Sequence, residues 1–314
     1  MYNVITCLES AGGRLARARG RPCGRGSPIE LFSHPLLAEL HPTFGHPEST
    51  ERLAVLLAAF PDFVEGRAAT EEEVLRCHDE SLLELLRNIE RPTQIEFNTV
   101  ASETSYRAAL LAAGTAIEAA RHGGFALVRP PGHHATPSEA FGFCLLNNVS
   151  IAARALRAEG AARIGIVDFD VHHGNGTQDI FWDDDTVLYA SLHQWGLFPG
   201  TGGPDEQRAT TVNVPLRPGL GDADWLAAFD THVAPAVRRF APEVVLVSAG
   251  FDAHEDEDLY LVDQRVTADG FRKLARRCST LAPSCAAVLE GGYNLERLPE
   301  LVAAALEGFA GGAA

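Results

Sequence analysis

Arg163-Ile164-Gly165-Ile166-Val167-Asp168-Phe169-Asp170-Val171-His172-His173-Gly174-Asn175-Gly176 reads as a buried strand that ends in chemistry. Small and β-branched apolar residues run into Asp168, Asp170 and His172. Side chains alternate along an extended backbone, so these three, at i, i+2 and i+4, are expected on one face. Gly174 and Gly176 then turn the chain away. Two carboxylates and an imidazole aimed one way form half of a divalent-metal site, because carboxylate oxygen and imidazole nitrogen both ligate zinc. A lone Asp-x-His would be read as a polar loop at a strand end; three such groups at strand spacing favour the metal.

The same grammar recurs along the chain. Apolar runs at residues 124–128, 162–167, 186–190, 243–248 and 286–289 each lead into a glycine-bearing polar loop. The loops carry Arg129 to His134, Asp168 to Asn175, Ser191 to His193, Ala249 to Asp252 and Glu290 to Asn294. Helices are expected between them at 147–159, 222–240, 267–281 and 296–309. Continuous apolar strands alternating with helices imply an α/β fold, a mostly parallel sheet with helices on both faces. Ligands of such sheets bind beyond the carboxyl ends of the strands, and every polar cluster named here falls at one. Residues far apart in sequence are thereby expected in one crevice.

The 314 residues, 46% hydrophobic and 22% charged, are enough for a sizeable core. Nothing in the chain separates two domains, so residues 29–314 are taken as a single catalytic domain. Residues 1–28, with many glycines and no apolar period, are expected to be a disordered or non-native extension. No apolar run approaches a membrane span. The six cysteines are scattered without a C-x-x-C pair, as in free thiols of a reducing, cytoplasmic compartment. Residues 1–28 hold five arginines against one glutamate, so the rest of the chain carries −16 − 4 = −20. A body so acidic repels nucleic acid and attracts cationic partners. Before the sheet pattern begins, residues 44–49 look like a capped start for the periodic Leu53, Leu56, Leu57 and Phe60. Two short helices are expected around Cys77-His78-Asp79, a loop opening at Asn98-Thr99, and an alanine-rich helix over 106–121.

Asp170, His172 and Asp252 are the candidate metal ligands, three in number, leaving a position open as catalytic zinc sites require. Asp252 by itself also suits a helix N-cap. Asp168 faces the same way but lower, where it can orient a histidine or bind a monovalent cation with backbone carbonyls. His173 points to the other face. His133 and His134 follow Pro130-Pro131-Gly132, a rigid turn, and an imidazole suits removal of a proton from metal-activated water. Tyr293, in Glu290-Gly291-Gly292-Tyr293-Asn294, can donate to a developing oxyanion. Phe143 beside Gly142, and Phe198, lie in glycine-rich loops and could wall a narrow channel.

Together these motifs resemble the zinc-dependent histone deacetylase family. The matches are Arg129-Pro-Pro-Gly-His-His134, Gly142-Phe-Cys144, Asp168 through Gly176, Ser191-Leu-His193, Phe198-Pro-Gly-Thr-Gly202, Ser248-Ala-Gly-Phe-Asp252 and Glu290-Gly-Gly-Tyr293, with His46-Pro-Glu48 also fitting. Asn175 and the Ser-Ala-Gly-Phe-Asp run look like the class II and bacterial deacetylase-like amidohydrolase branch. The resemblance implies the arginase/deacetylase fold and zinc, with iron(II) also suited, on Asp170, His172 and Asp252. It implies His134 as general base and then acid, supported by His133, with Asp168 orienting His133 and Asn175 contacting His134. Tyr293 then polarises the scissile carbonyl, and Phe143, Phe198 and Gly142 line an acyl-lysine tunnel. It also implies a potassium site from Asp168, Ser191 and the carbonyls of Asp170, His172 and Leu192.

Two positions depart from the family pattern. Asn98 stands where many members carry a substrate-gripping aspartate, and Leu259 where polyamine-selective relatives carry a glutamate gatekeeper. The latter argues against polyamines, although the acidic run Glu255-Asp256-Glu257-Asp258 beside it could attract a cation. The expected function is zinc-dependent removal of acetyl or other acyl groups from an acetylated lysine peptide. The rivals are deacetylation of acetylated small amines, a non-catalytic acyl-lysine binding module, and an arginase-like ureohydrolase.

Overall fold

The five apolar runs pair with three further strands, all in parallel, into one eight-stranded sheet. In the computed structural model, which describes residues 29–257, 259 and 261–311, the strands in chain order are β1 (Leu31–Ser33), β2 (Val64–Glu65), β3 (Thr93–Glu96), β4 (Thr99–Ala101), β5 (Phe125–Ala126), β6 (Ile164–Asp168), β7 (Val187–Gln194), β8 (Thr211–Leu216), β9 (Leu220–Gly221), β10 (Val244–Ala249), β11 (Gln264–Arg265) and β12 (Ser284–Leu289). The helices are α1 (Thr50–Ala59), α2 (Glu71–Val74), α3 (Glu80–Arg87), α4 (Ser105–His122), α5 (Asn148–Ala158), α6 (Asn175–Phe181), α7 (Asp222–Ala228), α8 (Ala234–Phe240), α9 (Ala268–Cys278) and α10 (Leu298–Ala310). The expectations for residues 1–28 and for Asp258 fall outside the described residues.

The sheet order is β2-β1-β5-β12-β10-β6-β7-β8. Every residue of β6 and nearly every residue of β10 and β12 is buried, so both sheet faces are covered. Helices α4 and α5 pack on each other, as do α9 and α10. Phe271 of α9 meets Phe169 and Phe251, and Phe309 of α10 meets Phe125 edge-on. Register does the positioning. Asp168 lies level with Ser248 of β10 and with Ser191 of β7, while Ala249 lies level with Leu289 of β12. Three adjacent strands therefore end at one height, and the loops beginning at Phe169, Gly250 and Glu290 start side by side. No helix among the described residues is long and apolar enough to cross a membrane. Cys77, Cys144 and Cys278 are free and buried, and Cys285 is buried in β12.

Several local expectations are corrected. Ser191, Leu192 and His193 do not open a loop; β7 runs on to Gln194 because β8, unpredicted from sequence, pairs with it from Tyr189 to Gln194. Asn98-Thr99 does not open a loop either, but closes an antiparallel hairpin between β3 and β4. Helix 222–240 is three pieces, with a π turn at Phe229–Val233 where Pro235 lacks the amide an α-turn would use. Ser49 precedes α1 without a side-chain capping bond. That helix start is anchored instead through buried charge. Glu48 Oε1 pairs with Arg129 Nε at 2.7 Å and with Arg52 Nη1 at 3.3 Å, all three residues at most 1% exposed. Removing the shared carboxylate strands two guanidiniums away from water. Glu48→Ala should therefore lower stability by about 3–5 kcal/mol in chemical denaturation; a loss below about 1 kcal/mol would show the network to be dispensable.

Candidate active site

The turn after β6 is built by its own carboxylates. Asp168 Oδ1 accepts the Asp170 amide at 3.1 Å, and Asp170 Oδ1 accepts the His172 amide at 2.9 Å. The strand itself ends at Asp168, so the expected shared strand face is corrected. Asp170 and His172 converge because two consecutive side-chain-to-backbone bonds coil the loop. The intervening Phe169 and Val171 are wholly buried in the core. Asp252 reaches across from the loop after β10. Its Oδ1 accepts the Val171 amide at 2.9 Å and its Oδ2 lies 3.1 Å from His172 Nδ1. It caps no helix, which corrects that alternative.

Ligand atoms of Asp170, His172 and Asp252 all lie within 4.8 Å of one another. His172 Nδ1 is 3.1 Å from an oxygen of each carboxylate, close to the edge of about 3.3 Å that a tetrahedron with bonds near 2.0 Å requires. Glycines make room for this. A Cβ on Gly250 would stand 2.0 Å from Asp170 Oδ2, and one on Gly291 2.2 Å from Asp252 Oδ2. Gly291 also donates its amide to Asp170 Oδ2 at 2.8 Å. The donor set, two carboxylates and one imidazole, fits a zinc-type or iron-type divalent cation.

The histidine pair is split electrostatically. His133 Nδ1 lies 3.0 Å from Asp168 Oδ2, which also accepts the Tyr189 hydroxyl at 3.1 Å. Burial works against protonation of His133, but Asp168 and Asp170 outweigh it and push the imidazole up to about 10. Burial also lowers His134, and here the neighbouring His133 and His172 push the same way, leaving it well below the ordinary 6.5. His134 Nδ1 donates to Asn175 Oδ1 at 2.9 Å, so its Nε2 is bare. One charged and one neutral imidazole, with ring centroids 4.0 Å apart, form a poised acid–base pair. His172, like His133, is pushed up to about 10: burial opposes, but its bonds to Asp170 and Asp252 prevail. A cation entering there displaces that proton.

Tyr293 is half-buried. Burial raises its phenol well above 10; Arg52 opposes this and Asp252 and Asp170 add to it, so it stays a donor. Phe143 stands edge-on to His46 at 4.5 Å and to Tyr293 at 5.8 Å. Phe198 stands edge-on to His134 at 5.1 Å, and its stacking partner is Phe141 at 4.8 Å. A Cβ on Gly142 would lie 2.6 Å from His134 and 2.8 Å from Phe198. Asn98 sits at the hairpin tip, its carbonyl 3.0 Å from His46 Nε2. Ser191 is buried beside Asp168 and its hydroxyl meets His193 Nδ1 at 2.9 Å; Leu192 follows it in β7. His173 binds Thr201 and Gln178, away from the ligand cluster, as expected. Leu259 lies on the loop after Asp252. The acidic run on that loop is in part a strap. Glu257 Oε2 accepts the Tyr293 amide at 2.8 Å, the Asp256 carbonyl accepts Asn294 Nδ2 at 2.7 Å, and Arg297 pairs with Asp256 at 2.9 Å.

Three supporting residues were missed from sequence. Arg52, buried on α1, donates to the carbonyls of Glu290 at 2.6 Å and Gly292 at 2.7 Å, and lies 4.6 Å from the Tyr293 ring centroid. Glu290 Oε2 accepts the amides of Gly132 and His133 at 2.6 and 3.1 Å, holding the turn that carries both histidines. Tyr189 props Asp168. An arginine within the leucine stripe of α1 and the glutamate of the Glu-Gly-Gly-Tyr run were the signals available.

A family model described as "Histone deacetylase domain" matches residues 46–309. A probable deacetylase of Archaeoglobus fulgidus is 38% identical, the match covering 80% of this chain and 77% of that protein. The chloroplastic histone deacetylase 14 of Arabidopsis thaliana is 37% identical over 84% of this chain and 72% of its own. Among solved structures, the HDA15 HD domain superposes with a TM-score of 0.85 at 35% identity, covering 91% of this chain and 89% of that one. The ligand cluster gives a direct test: purified Asp252→Ala, lacking one of three donors, should lose stoichiometric divalent metal in elemental analysis. Full occupancy in that variant would mean that the cation sits elsewhere.

Proposed function

This chain belongs to the histone deacetylase family, and from that premise we propose that it is a zinc-dependent amidohydrolase that removes acetyl or other acyl groups from lysine-type amines. The observation that carries the reading is the three-ligand cluster of Asp170, His172 and Asp252 beside His134, which burial and its cationic neighbours hold well below 6.5, and Tyr293, which burial holds well above 10. Asp170, His172 and Asp252 would hold a divalent cation, which when bound would lower the pKa of water to roughly 7 and polarise the acyl carbonyl. His134, neutral and with Nε2 bare, takes the proton of the attacking water. Tyr293 donates its hydroxyl to the oxygen on which charge develops. His134 then returns the proton to the leaving nitrogen as the C–N bond breaks, and the acid proton of the new carboxyl passes to the amine, so that a carboxylate and an ammonium depart. His133, charged and held by Asp168, favours the negative charge that builds up between them. Phe143 and Phe198 flank the chain that threads to this point and keep water from it.

The same reading assigns potassium to Asp168, Ser191 and the carbonyls of Asp170, His172 and Leu192. It is supported by the buried register pairing of Asp168 with Ser191 at the strand ends. Iron(II) suits the catalytic ligands as well as zinc. An acetylated lysine peptide is the proposed substrate, with the rim residue Asn98 placed to meet its backbone. A second reading, an acetylated small cationic amine, draws on Glu255, on the same acidic loop whose Glu257 and Asp256 fasten the Tyr293 segment. Turnover of an acetyl-lysine peptide against acetylputrescine separates the two.

With an acetyl-lysine reporter, His134→Ala should reduce kcat by roughly 10²–10⁴-fold and Tyr293→Phe by roughly 10²–10³-fold. Unchanged rates in both would remove the mechanism. Because the base form of His134 persists down to its depressed pKa and is lost only below it, the acid limb of the pH–rate profile should fall below the ordinary imidazole value of 6.5. An acid limb at or above that value would assign the base elsewhere.

A further inference from the structure

The loop that carries Phe143 holds an unusual backbone. Phe141 and Cys144 exchange paired bonds, 2.9 Å from the Phe141 amide and 3.0 Å from the Cys144 amide, and so close a two-residue turn. Its central residues, Gly142 and Phe143, have φ of +57° and +71°. Two positive φ values in succession are the signature of a type I′ turn, whose second position ordinarily takes glycine or asparagine. A bulky aromatic there is strained and persists only if its surroundings over-determine it. The strain has a use, since it swings the Phe143 ring between His46 and Tyr293 at the mouth of the site.

The bond that secures this turn comes from the rim hairpin. The Phe143 amide donates to Thr99 Oγ1 at 3.1 Å. Thr99, the first residue of β4, is wholly buried, and its own hydroxyl hydrogen is directed at Asn98 Oδ1, 3.3 Å away, or Glu96 Oε2, 3.4 Å away. A β-branched side chain has few rotamers, so the acceptor stands at a fixed place. His46 fastens the same hairpin from the other side, through the Asn98 carbonyl at 3.0 Å. The tip that offers Asn98 to a substrate and the ring that walls the tunnel are thus joined through one hydroxyl.

We propose that Thr99 is a positioning residue whose hydroxyl pins the Phe143 turn to the rim hairpin, sets the width of the tunnel, and so restricts the length of acyl chain admitted. The acyl-length part rests on the tunnel's being the acyl channel of the function proposed above; the pinning of the turn does not.

The test pairs Thr99→Val, which keeps the shape and removes the hydroxyl, with Thr99→Ser, which keeps the hydroxyl. Acyl-lysine peptides of increasing chain length report kcat and KM, and hydrogen exchange reports the Phe143 amide. Thr99→Val should raise KM for the acetyl substrate roughly tenfold with kcat changed by less than about threefold, and should narrow the preference for acetyl over butyryl. The Phe143 amide should exchange about tenfold faster, its buried donor having lost its acceptor. Thr99→Ser should restore both. An unchanged exchange rate in Thr99→Val would overturn the pinning, and faster exchange with an unaltered acyl-length order would overturn the control of tunnel width. A wild-type protein inactive on every acyl-lysine peptide would instead refute the assigned reaction, while hydrogen exchange would still decide whether Thr99 holds the turn.

Discussion

Four carboxylates, Asp168, Asp170, Asp252 and Glu290, are crowded at the ends of adjacent parallel strands, none more than 1% exposed. A buried carboxylate is tolerable only when it is hydrogen-bonded and its charge is met. Much of the local structure follows from that demand. Backbone amides of Asp170, Val171, His172, Gly132, His133 and Gly291 all turn toward these oxygens. His133 and His172 supply positive charge, and a divalent cation would supply more. Stability and chemistry share one origin here: the charges that cost most to bury are those that hold the reacting groups.

The same economy separates the two histidines. They are adjacent in sequence and 4.0 Å apart, yet one is driven up by carboxylates against its burial and the other down by burial together with its cationic neighbours. Two identical side chains acquire opposite roles because Asp168 stands behind one and Asn175 behind the other. A charged partner for His134 would hold a proton on it; a neutral amide fixes its tautomer without doing so. Tyr293 is treated similarly. Arg52 clamps the carbonyls preceding it, Glu257 receives its amide, and Asp256 is tied to Asn294 and Arg297. The acidic run that reads as a cation lure in the sequence is, in part, a fastening for the Tyr293 loop.

How much could be read in advance differs by element. The strands at β6, β10 and β12 were legible because each is an unbroken apolar run, and the helices between them because their apolar period is long. The ligand triad was legible from residue type and from the rule that parallel strands present their ligands at carboxyl ends. The extension of β7 through Gln194 was not, because Ser191, His193 and Gln194 are polar, and only pairing with β8 and buried side-chain bonds make them strand. The rim hairpin escaped for a like reason: its strands are three and four residues long and partly exposed. Arg52 and Glu290 escaped because a charge in an apolar stripe or a glycine-rich loop has no local signature of the carbonyl or amide it will meet.

Sequence by itself therefore determined the class of fold, the family likeness and the candidate ligands and bases, since these depend on residue type and on periods of two or four residues. Tertiary structure alone decided how the groups are shared. Which carboxylate serves a histidine and which is left for a cation, which imidazole is charged, and which turn Thr99 secures all depend on contacts between segments far apart along the chain. Electrostatic and hydrogen-bonding energies at such contacts change steeply over an ångström or two, and distances of that kind exist only once the strands have taken their register.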